Sequence, residues 1–309
     1  MNPPTDAVVL AVGADGYDAA LTFAVAEARR TSRPLHLVHV LQLPAGEAYV
    51  GVYGGMLDAA KSVLADATAA AEGLAGPDLP VSSELIDKGW VVDDLVRHTD
   101  GASMLVVQHR ALSRVRRVFV GSFAHSVAGR SPIPVVSVPE GWAPRVGTGN
   151  VVTAATQDPV EAPALLRAGF EEARNRGARL VVLHAWWLAS GYDVVVVDDA
   201  FRSAWTERSD EELEPVLAPL RTEYPDVAVE VVIRHAPPVE AVLDAGEVSD
   251  LLVLGRRHHL LPLGSHLGPV TRSALDHASC PVLITPELDV TVPAYDAEEP
   301  VPHLATSLA

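Results

Sequence analysis

The chain repeats one pattern twice. Equivalent positions in the closing part of each half lie 147 residues apart (255 − 108 and 281 − 134), as in the pairs Gln108 and Gly255, Gly121 and Gly268, and Pro134 and Pro281. A constant separation of this size indicates duplication of a whole folding unit, because solenoid repeats have periods of roughly 20 to 50 residues. The 309 residues therefore divide into two similar domains of about 145 residues, each large enough to bury its own core.

The boundaries follow from composition. We predict a first domain over 1–140, a linker over 141–150, a second domain over 151–287 and a tail over 288–309. The linker is rich in glycine and proline, which favour turns and irregular structure. The tail lacks helical or strand periodicity, and we expect it to be extended or disordered.

Each half alternates apolar runs with helical segments. The first half predicts strands over 8–13, 35–40, 81–86, 104–107 and 135–138, with helices over 19–30, 55–73 and 91–97. The second half predicts strands over 151–155, 180–185, 227–233, 251–254 and 282–284, with helices over 162–176, 201–223 and 239–245. Continuous apolar strands separated by helices are typical of a parallel sheet covered on both faces. The predicted fold is α/β, with two tandem doubly wound, five-stranded, Rossmann-like domains.

Composition narrows the class of protein. Hydrophobic residues make up 49% of the chain, which indicates a globular protein. The formal net charge of −17 argues against nucleic acid or an anionic membrane as a partner. A single cysteine, Cys280, excludes an internal disulfide, and no signal peptide or membrane-spanning run is apparent. We therefore expect a cytoplasmic protein.

The loop after the fourth predicted strand has the same spacing in both halves. Its positions are Gln108, Ala111 and Gly121-Ser122 in the first half, and Gly255, His258 and Gly268-Pro269 in the second, and each half closes with Pro-Val-X-X-X-Pro. These features and the strand order resemble those of the tandem universal stress proteins over nearly the whole chain. The family pattern is a glycine, two residues, a second glycine, nine residues, and then Gly-Ser or Gly-Thr. The spacing is kept in both copies, whereas the glycines are kept only in part.

The resemblance implies a site for an adenine nucleotide such as ATP, with Mg²⁺ only as a companion of the nucleotide. Backbone amides of the loop and the next helix N-terminus would hold the phosphates, with glycines permitting close approach. The loop residues would be Val107, Gln108, Arg110, Gly121, Ser122 and Phe123 in the first domain and Leu254, Gly255, Arg257, His258, Gly268, Val270 and Thr271 in the second. The first-strand carboxylate position falls at or next to Gly13, with Asp15 nearby, and at Thr156 in the second domain. The backbone that reads adenine would be that of Val40 and Ala185.

This chain departs from the family pattern in both loops. Gln108, Ala111 and His258 replace glycines, and Pro269 removes an amide donor. Arginine forks bind phosphate well and could compensate; the cationic residues of the two loops are Arg110, Arg114, Arg116, Arg117, Arg256, Arg257, His258 and His259.

Three functions remain open on these residues. The first is a regulatory or protective module that responds to a nucleotide. The second is a degenerate scaffold that binds a protein partner, with Gln108 and His258 filling the former pocket. The third is a weak ATPase, although the sequence shows no general base, no Walker loop and no nucleophile elbow. We predict no catalytic residue and no metal site.

Several isolated residues have simple structural explanations. We expect His39 and His184 to be half-buried strand-end histidines with one hydrogen bond each, and Cys280 to be a small buried hydrophobe. The pair Asp93-Asp94 is explained by the dipole of a helix start. We further expect the two domains to associate about a pseudo-two-fold axis through their last strands, leaving a monomer with an internal dimer or a homodimer of such units.

Overall fold

The structure is a computed structural model. It describes residues 3–42, 52–87, 91–109, 122–145, 150–157, 162–188, 191, 193–256 and 267–286. Four predicted site residues, Arg110, Gly121, Arg257 and His258, lie outside the described residues, as does the whole predicted tail.

The described part of the first domain has five strands and four helices. They are β1 (Val8–Ala11), α1 (Asp18–Thr31), β2 (Leu35–Val40), α2 (Tyr53–Ala75), β3 (Val81–Ile86), α3 (Val91–His98), β4 (Met104–His109), α4 (Ser122–Arg130) and β5 (Val135–Pro139).

The described part of the second domain repeats this order. Its elements are β6 (Val151–Thr156), α5 (Pro163–Arg176), β7 (Arg179–Trp186), α6 (Asp193–Val196), α7 (Asp199–Glu223), β8 (Val229–His235), α8 (Pro238–Val248), β9 (Leu251–Leu254), α9 (Pro269–His277) and β10 (Val282–Ile284). The predicted α/β alternation is confirmed, and the four-residue α6 is an addition between β7 and α7.

All ten strands form one sheet with the order β3-β2-β1-β4-β5-β10-β9-β6-β7-β8. Strands within each domain are parallel, whereas β5 and β10 pair antiparallel, with Ser137 opposite Val282 and Val135 opposite Ile284. The predicted pairing of the last strands is therefore confirmed within the chain. It places a pseudo-two-fold axis between β5 and β10, and association of a second chain stays a prediction.

Helices cover both faces of the sheet, because alternate residues of each buried strand point to opposite faces. Leu10 packs in the core beneath α1, α2, α5 and α7, whereas Val9 packs in the core beneath α3, α4, α8 and α9. In α5, Gly169 lets the helix approach the sheet closely, since a Cβ atom there would lie 2.9 Å from Cβ of Ala154. No helix in the described part of the chain is both long enough and apolar enough to cross a membrane.

The helices α1 and α5 end in the same way. Ser32 follows α1 with φ 55° and ψ 37°, and Gly177 follows α5 with φ 56° and ψ 38°. Both residues are left-handed, and each amide donates back to the last turn of its helix. Glycine adopts this conformation freely, but an L-residue such as serine is strained there.

Arg145, in the linker, donates hydrogen bonds to backbone carbonyls at the end of α8. Its guanidinium donates to the carbonyl of Ser249 at 3.0 Å and to that of Gly246 at 3.5 Å, and it also reaches the carbonyl of Glu247. A cation at a helix C-terminus satisfies carbonyls that lack helical partners and is favoured by the helix dipole. The linker is therefore attached to the second domain at this point.

Candidate functional site

The sheet topology places a crevice in each domain. In the order β3-β2-β1-β4-β5, the chain leaves β1 toward β2 on one side and leaves β4 toward β5 on the other. Ligands of doubly wound sheets bind outside the carboxyl ends of the strands at such a switch point. The first crevice lies between β1 and β4, and the second lies between β6 and β9.

Gln108 crosses the first crevice. From β4, its Oε1 accepts a hydrogen bond from the amide of Ala20, in the first turn of α1, at 3.1 Å. On the same side, a Cβ atom added at Gly16 would lie 3.3 Å from Nε2 of Gln108. Since Tyr17, the N-cap residue of α1, makes no side-chain capping bond, Gln108 supplies an acceptor that the start of α1 otherwise lacks. The glutamine therefore occupies an amide that an anion at this helix N-terminus would use.

The neighbouring His109 adds no positive charge to this crevice. Its Nδ1 is 3.1 Å from Oγ of Ser137. Burial lowers the pKa of His109 to about 4, against the opposing effect of Asp276. The imidazole is therefore neutral near pH 7.

The second crevice has no such side chain at the equivalent position. A Cβ atom added at Gly255 would meet, among the described residues, only Oγ1 of Thr285 within 4 Å, at 3.8 Å. Thr271, in the first turn of α9, is buried and donates its hydroxyl to the carbonyl of Gly255 at 3.2 Å. Gly268 is the extended N-cap residue of α9, and Pro269 opens the helix without an amide hydrogen. Gly255 therefore contributes no side chain at the position from which Gln108 reaches the start of α1.

The strand register relates the first-strand positions of the two domains. His184 lies opposite Thr156 in the β6–β7 pairing, and its Nδ1 donates to the carbonyl of Thr156 at 3.3 Å. His39 makes the matching bond to the carbonyl of Val12 at 2.7 Å. Thr156 is therefore equivalent to Val12, the residue next to Gly13, and the two lie 144 residues apart (156 − 12) rather than 147.

The reason is that the separation between copies changes along the chain. Val8 pairs with Leu35 and Val152 pairs with Leu180, so the first strands are 144 residues apart (152 − 8). The separation of 147 residues holds only for the closing part, because the connections between early and late strands differ in length. The hydrogen bonds of His39 and His184 agree with their predicted structural role. Both side chains are buried rather than half-buried, because the ends of β2 and β7 are covered.

The other described site residues take the positions that the topology gives them. Val40 and Ala185 are equivalent, at the ends of β2 and β7, and Val107 and Leu254 are buried in β4 and β9. Asp15 lies in the turn before α1. The residues that open the helices after the loops are Ser122 and Phe123 in α4 and Val270 in α9.

An aromatic cluster beside Ala185 was not predicted. Trp186 lies 4.9 Å from Trp205 and 4.3 Å from His235 between ring centroids, and Trp187 stacks on His235 at 4.9 Å. The buried Asp193 accepts from Nε2 of His235 at 3.0 Å. The Trp-Trp pair is visible in the sequence, but its partners come from α7 and β8. This cluster gives the carboxyl edge of the second domain a surface that the first domain lacks at the equivalent Leu41 and Asp87.

Arg256 of the second loop contacts the first domain. Its Nη2 donates to the carbonyl of Ser131, which precedes β5. At least one of the cations predicted to compensate for lost glycines therefore takes part in the contact between domains.

Cys280, Asp93 and Asp94 have structural environments in the described part of the chain. Burial raises the pKa of the Cys280 thiol to about 12, which keeps it protonated. Asp93 and Asp94 are in the first turn of α3 and pair with Arg130 at 2.7 Å and Arg97 at 2.9 Å. No group of three or more histidine, cysteine or carboxylate side chains that could hold a metal occurs in the described ranges.

Comparisons with known proteins agree with this architecture. The sequence profile of the universal stress protein family matches residues 4–139 and again residues 149–286. Universal stress protein Rv2005c of Mycobacterium tuberculosis is 28% identical over 299 residues, which cover 92% of this chain and 99% of that protein. Among solved structures, a universal stress protein from Archaeoglobus fulgidus DSM 4304 is similar with a TM-score of 0.64 at 17% identity, over 92% of this chain and 97% of that one. The chain therefore belongs to the universal stress protein family and carries two copies of the family domain in tandem.

Proposed function

We propose that this protein is a cytoplasmic regulatory or protective module that binds one adenine nucleotide, in its second domain. The first domain keeps the fold and contributes to the assembly without binding. The observation that carries the proposal is the difference between Gln108, which crosses the first crevice, and Gly255, which contributes no side chain at the equivalent position of the second one.

The steric argument rests on equivalent positions. A phosphate chain approaches backbone amides closely only where no side chain intervenes, which is the role of glycine in phosphate-binding loops. Gln108 places an amide group in that space and already occupies the amide of Ala20. Gly255 places nothing there, and the neighbouring N-terminus of α9 offers a favourable potential for an anion.

The proposal is binding without turnover. Hydrolysis of a phosphoanhydride needs a group that orients or activates water, and we assign no residue that role. Mg²⁺ would enter only with the nucleotide, because Mg²⁺ bound to phosphates needs few protein ligands.

Calorimetric titration with ATP, with and without Mg²⁺, tests the proposal on protein stripped of bound nucleotide. We expect one site per chain. Gly255→Gln, which copies the first-domain residue into the second domain, should remove binding, and the matched Gln108→Gly variant should leave the site in the second domain intact. Circular dichroism and thermal unfolding of both variants control for folding.

Two results would contradict the proposal. Binding that survives Gly255→Gln would show that the second crevice is not the site. Absence of heat and of thermal stabilisation at millimolar ATP would favour the second candidate function, a scaffold that acts through a protein partner. That candidate is supported by the closure of the first crevice by Gln108 and by the loss of an amide at Pro269.

A further inference from the structure

Two glutamates meet where the domains face each other. Glu27 is the tenth residue of α1 and Glu172 is the tenth residue of α5, and each of these helices has 14 residues. The pseudo-two-fold axis brings α1 and α5 into contact, so the equivalent acids approach each other. Glu27 is 1% exposed and Glu172 is 8% exposed. Two carboxyl groups are thus held out of water at the contact between domains.

One arginine contacts both acids. Nη2 of Arg176 lies 2.8 Å from Oε2 of Glu27 and 3.0 Å from Oε2 of Glu172. Nη1 of Arg176 also donates to Glu27 at 2.9 Å, and the guanidinium lies 5.6 Å from the ring centroid of Phe23. The side chain of Arg176 therefore leaves the second domain and is held by residues of α1.

Two arginines lie beside the two acids, and both donate hydrogen bonds to Glu27. On α1, Arg30 makes its bond at 2.5 Å, whereas Oε2 of Glu172 has no hydrogen-bond donor within the described residues. On α5, Glu171 adds a further negative charge near Glu172 and accepts from the hydroxyl of Tyr224 in the segment after α7 at 3.3 Å. Within the described residues, Oε1 of Glu27 is buried and has no hydrogen-bond donor. A protonated carboxyl group would supply such a donor, whereas a second carboxylate would not.

We propose that Glu27 and Glu172 form a proton-controlled latch between the two domains. When the pair holds one proton, on Glu172, the α1–α5 contact is at its strongest. When that proton is lost, two buried carboxylates compete for Arg176 and the contact weakens. The latch is independent of nucleotide binding.

The expected titration supports this assignment. Burial raises the pKa of Glu172 to about 7, with Glu27 and Glu171 acting in the same direction and Arg176 and Arg30 acting against it. A glutamate in the unfolded chain has its ordinary pKa near 4.5. The folded state therefore binds more protons than the unfolded state between these values, so stability is highest at the acidic end and falls as pH rises toward 7.

The pair has a route to solvent. A cavity of about 480 Å³ is lined by Glu27 and Glu172, with Asp6, Arg33, Glu171 and Arg174 among the other lining residues. Water in this cavity would exchange protons with the pair without separation of the domains. The latch therefore responds to pH in the intact protein.

The test compares the full chain with two glutamine variants between pH 5 and pH 8.5. Urea unfolding should show that the wild type loses stability, relative to Glu172→Gln, as pH rises through 7, by at most a few hundred-fold in the folding equilibrium constant. Glu211→Gln, which removes an exposed carboxylate of α7 that does not line the cavity, should keep the wild-type profile. Hydrogen exchange of α1 and α5, corrected for intrinsic rates, should speed up over the same pH range in the wild type only.

Parallel profiles of the wild type and Glu172→Gln would overturn the proposal. Should Glu172→Gln fail to fold, carbon-13 NMR of the glutamate carboxyls in the wild type decides the matter. One glutamate resonance that titrates above pH 6 is expected, and the absence of such a resonance would refute the latch.

Discussion

The residues that follow α1 and α5 have the same left-handed conformation, but one is serine and the other is glycine, so exchanging them tests the cost of that conformation at two equivalent positions. Ser32 and Gly177 have the same backbone conformation within one degree in φ and in ψ. The flanking hydrogen bonds also match, since Arg33 donates to the carbonyl of Ala28 at 2.9 Å and Ala178 to that of Ala173 at 2.9 Å. We therefore expect Ser32→Gly to stabilise the protein and Gly177→Ser to destabilise it.

The magnitude follows from two opposing effects. A left-handed L-residue costs about 1 to 2 kcal/mol relative to the right-handed conformation. Replacing serine with glycine also destabilises the folded state by about 0.5 to 1 kcal/mol, because glycine loses more conformational freedom on folding. Both positions are exposed, and a Cβ atom at Gly177 would meet no described atom within 4 Å, so side-chain contacts change little. The net expectation is a gain of about 0.5 to 1 kcal/mol for Ser32→Gly and a similar loss for Gly177→Ser.

Urea unfolding followed by circular dichroism measures both variants against the wild type. Ser32→Ala is the control, because it removes the hydroxyl and keeps the Cβ atom that causes the strain. It should remain close to the wild type. If Ser32→Gly were neutral or destabilising, or if Ser32→Ala were as stabilising as Ser32→Gly, the attribution to backbone strain would be refuted.

Three further changes have defined expectations. Gly169→Ala should lower the unfolding free energy by about 1 to 3 kcal/mol in thermal denaturation, because its methyl group would lie 2.9 Å from Cβ of Ala154. A neutral result would show that α5 moves away from the sheet freely. Arg145→Met should cost about 1.5 to 3 kcal/mol in urea unfolding, because charged hydrogen bonds to the end of α8 are lost. Arg167→Met, which breaks an exposed ion pair, should cost much less, because solvent screens that pair; equal losses for the two variants would contradict this. His109→Gln should reduce the loss of stability as pH falls from 6.5 to 4. The reason is that the buried imidazole, with its pKa near 4, binds fewer protons in the folded protein than in the unfolded chain. An unchanged loss of stability at low pH in urea unfolding would contradict this.

His109 and Glu172 change the stability of the protein in opposite directions as pH rises. The pKa of His109 is lowered by burial and that of Glu172 is raised by burial. As pH rises from about 4.5 toward 6.5, the histidine therefore adds stability while the glutamate removes it. The two effects partly cancel in the wild type. Only the difference between the wild type and each variant isolates one group.

The fold was predictable because buried parallel strands leave a strong pattern. The third strand of the first domain, predicted over 81–86, is β3 (Val81–Ile86). The equivalent strand of the second domain was predicted over 227–233 and is β8 (Val229–His235). The shift arises because Val227 is apolar and buried but belongs to the turn after α7, where its amide donates to the carbonyl of Tyr224 at 3.1 Å. Hydrophobicity reports burial, and a buried turn residue looks like a strand residue.

The site was less predictable because its important contacts are distant in the sequence. The loss of a glycine at Gln108 is visible in the chain, but its hydrogen bond to Ala20 joins residues 88 positions apart. The aromatic cluster also joins residues that are distant in the sequence, because Trp186, Trp205 and His235 belong to β7, α7 and β8. A sequence pattern shows which residue has changed and not which space its side chain fills.

The tandem arrangement also explains how the axis between the domains tolerates two buried acids. In a dimer of identical chains, each position on the axis meets its own copy, so a glutamate always faces a glutamate with identical neighbours. Here Glu27 and Glu172 still face each other, but their neighbours differ. The position of Thr31 in α1 is taken by Arg176 in α5, and that of Arg30 is taken by an asparagine. Both arginines therefore donate to Glu27 and leave Oε2 of Glu172 without a donor within the described residues, an inequality that exact symmetry forbids. Covalent fusion likewise allows Gln108 to cross one crevice while Gly255 contributes no side chain at the equivalent position of the other.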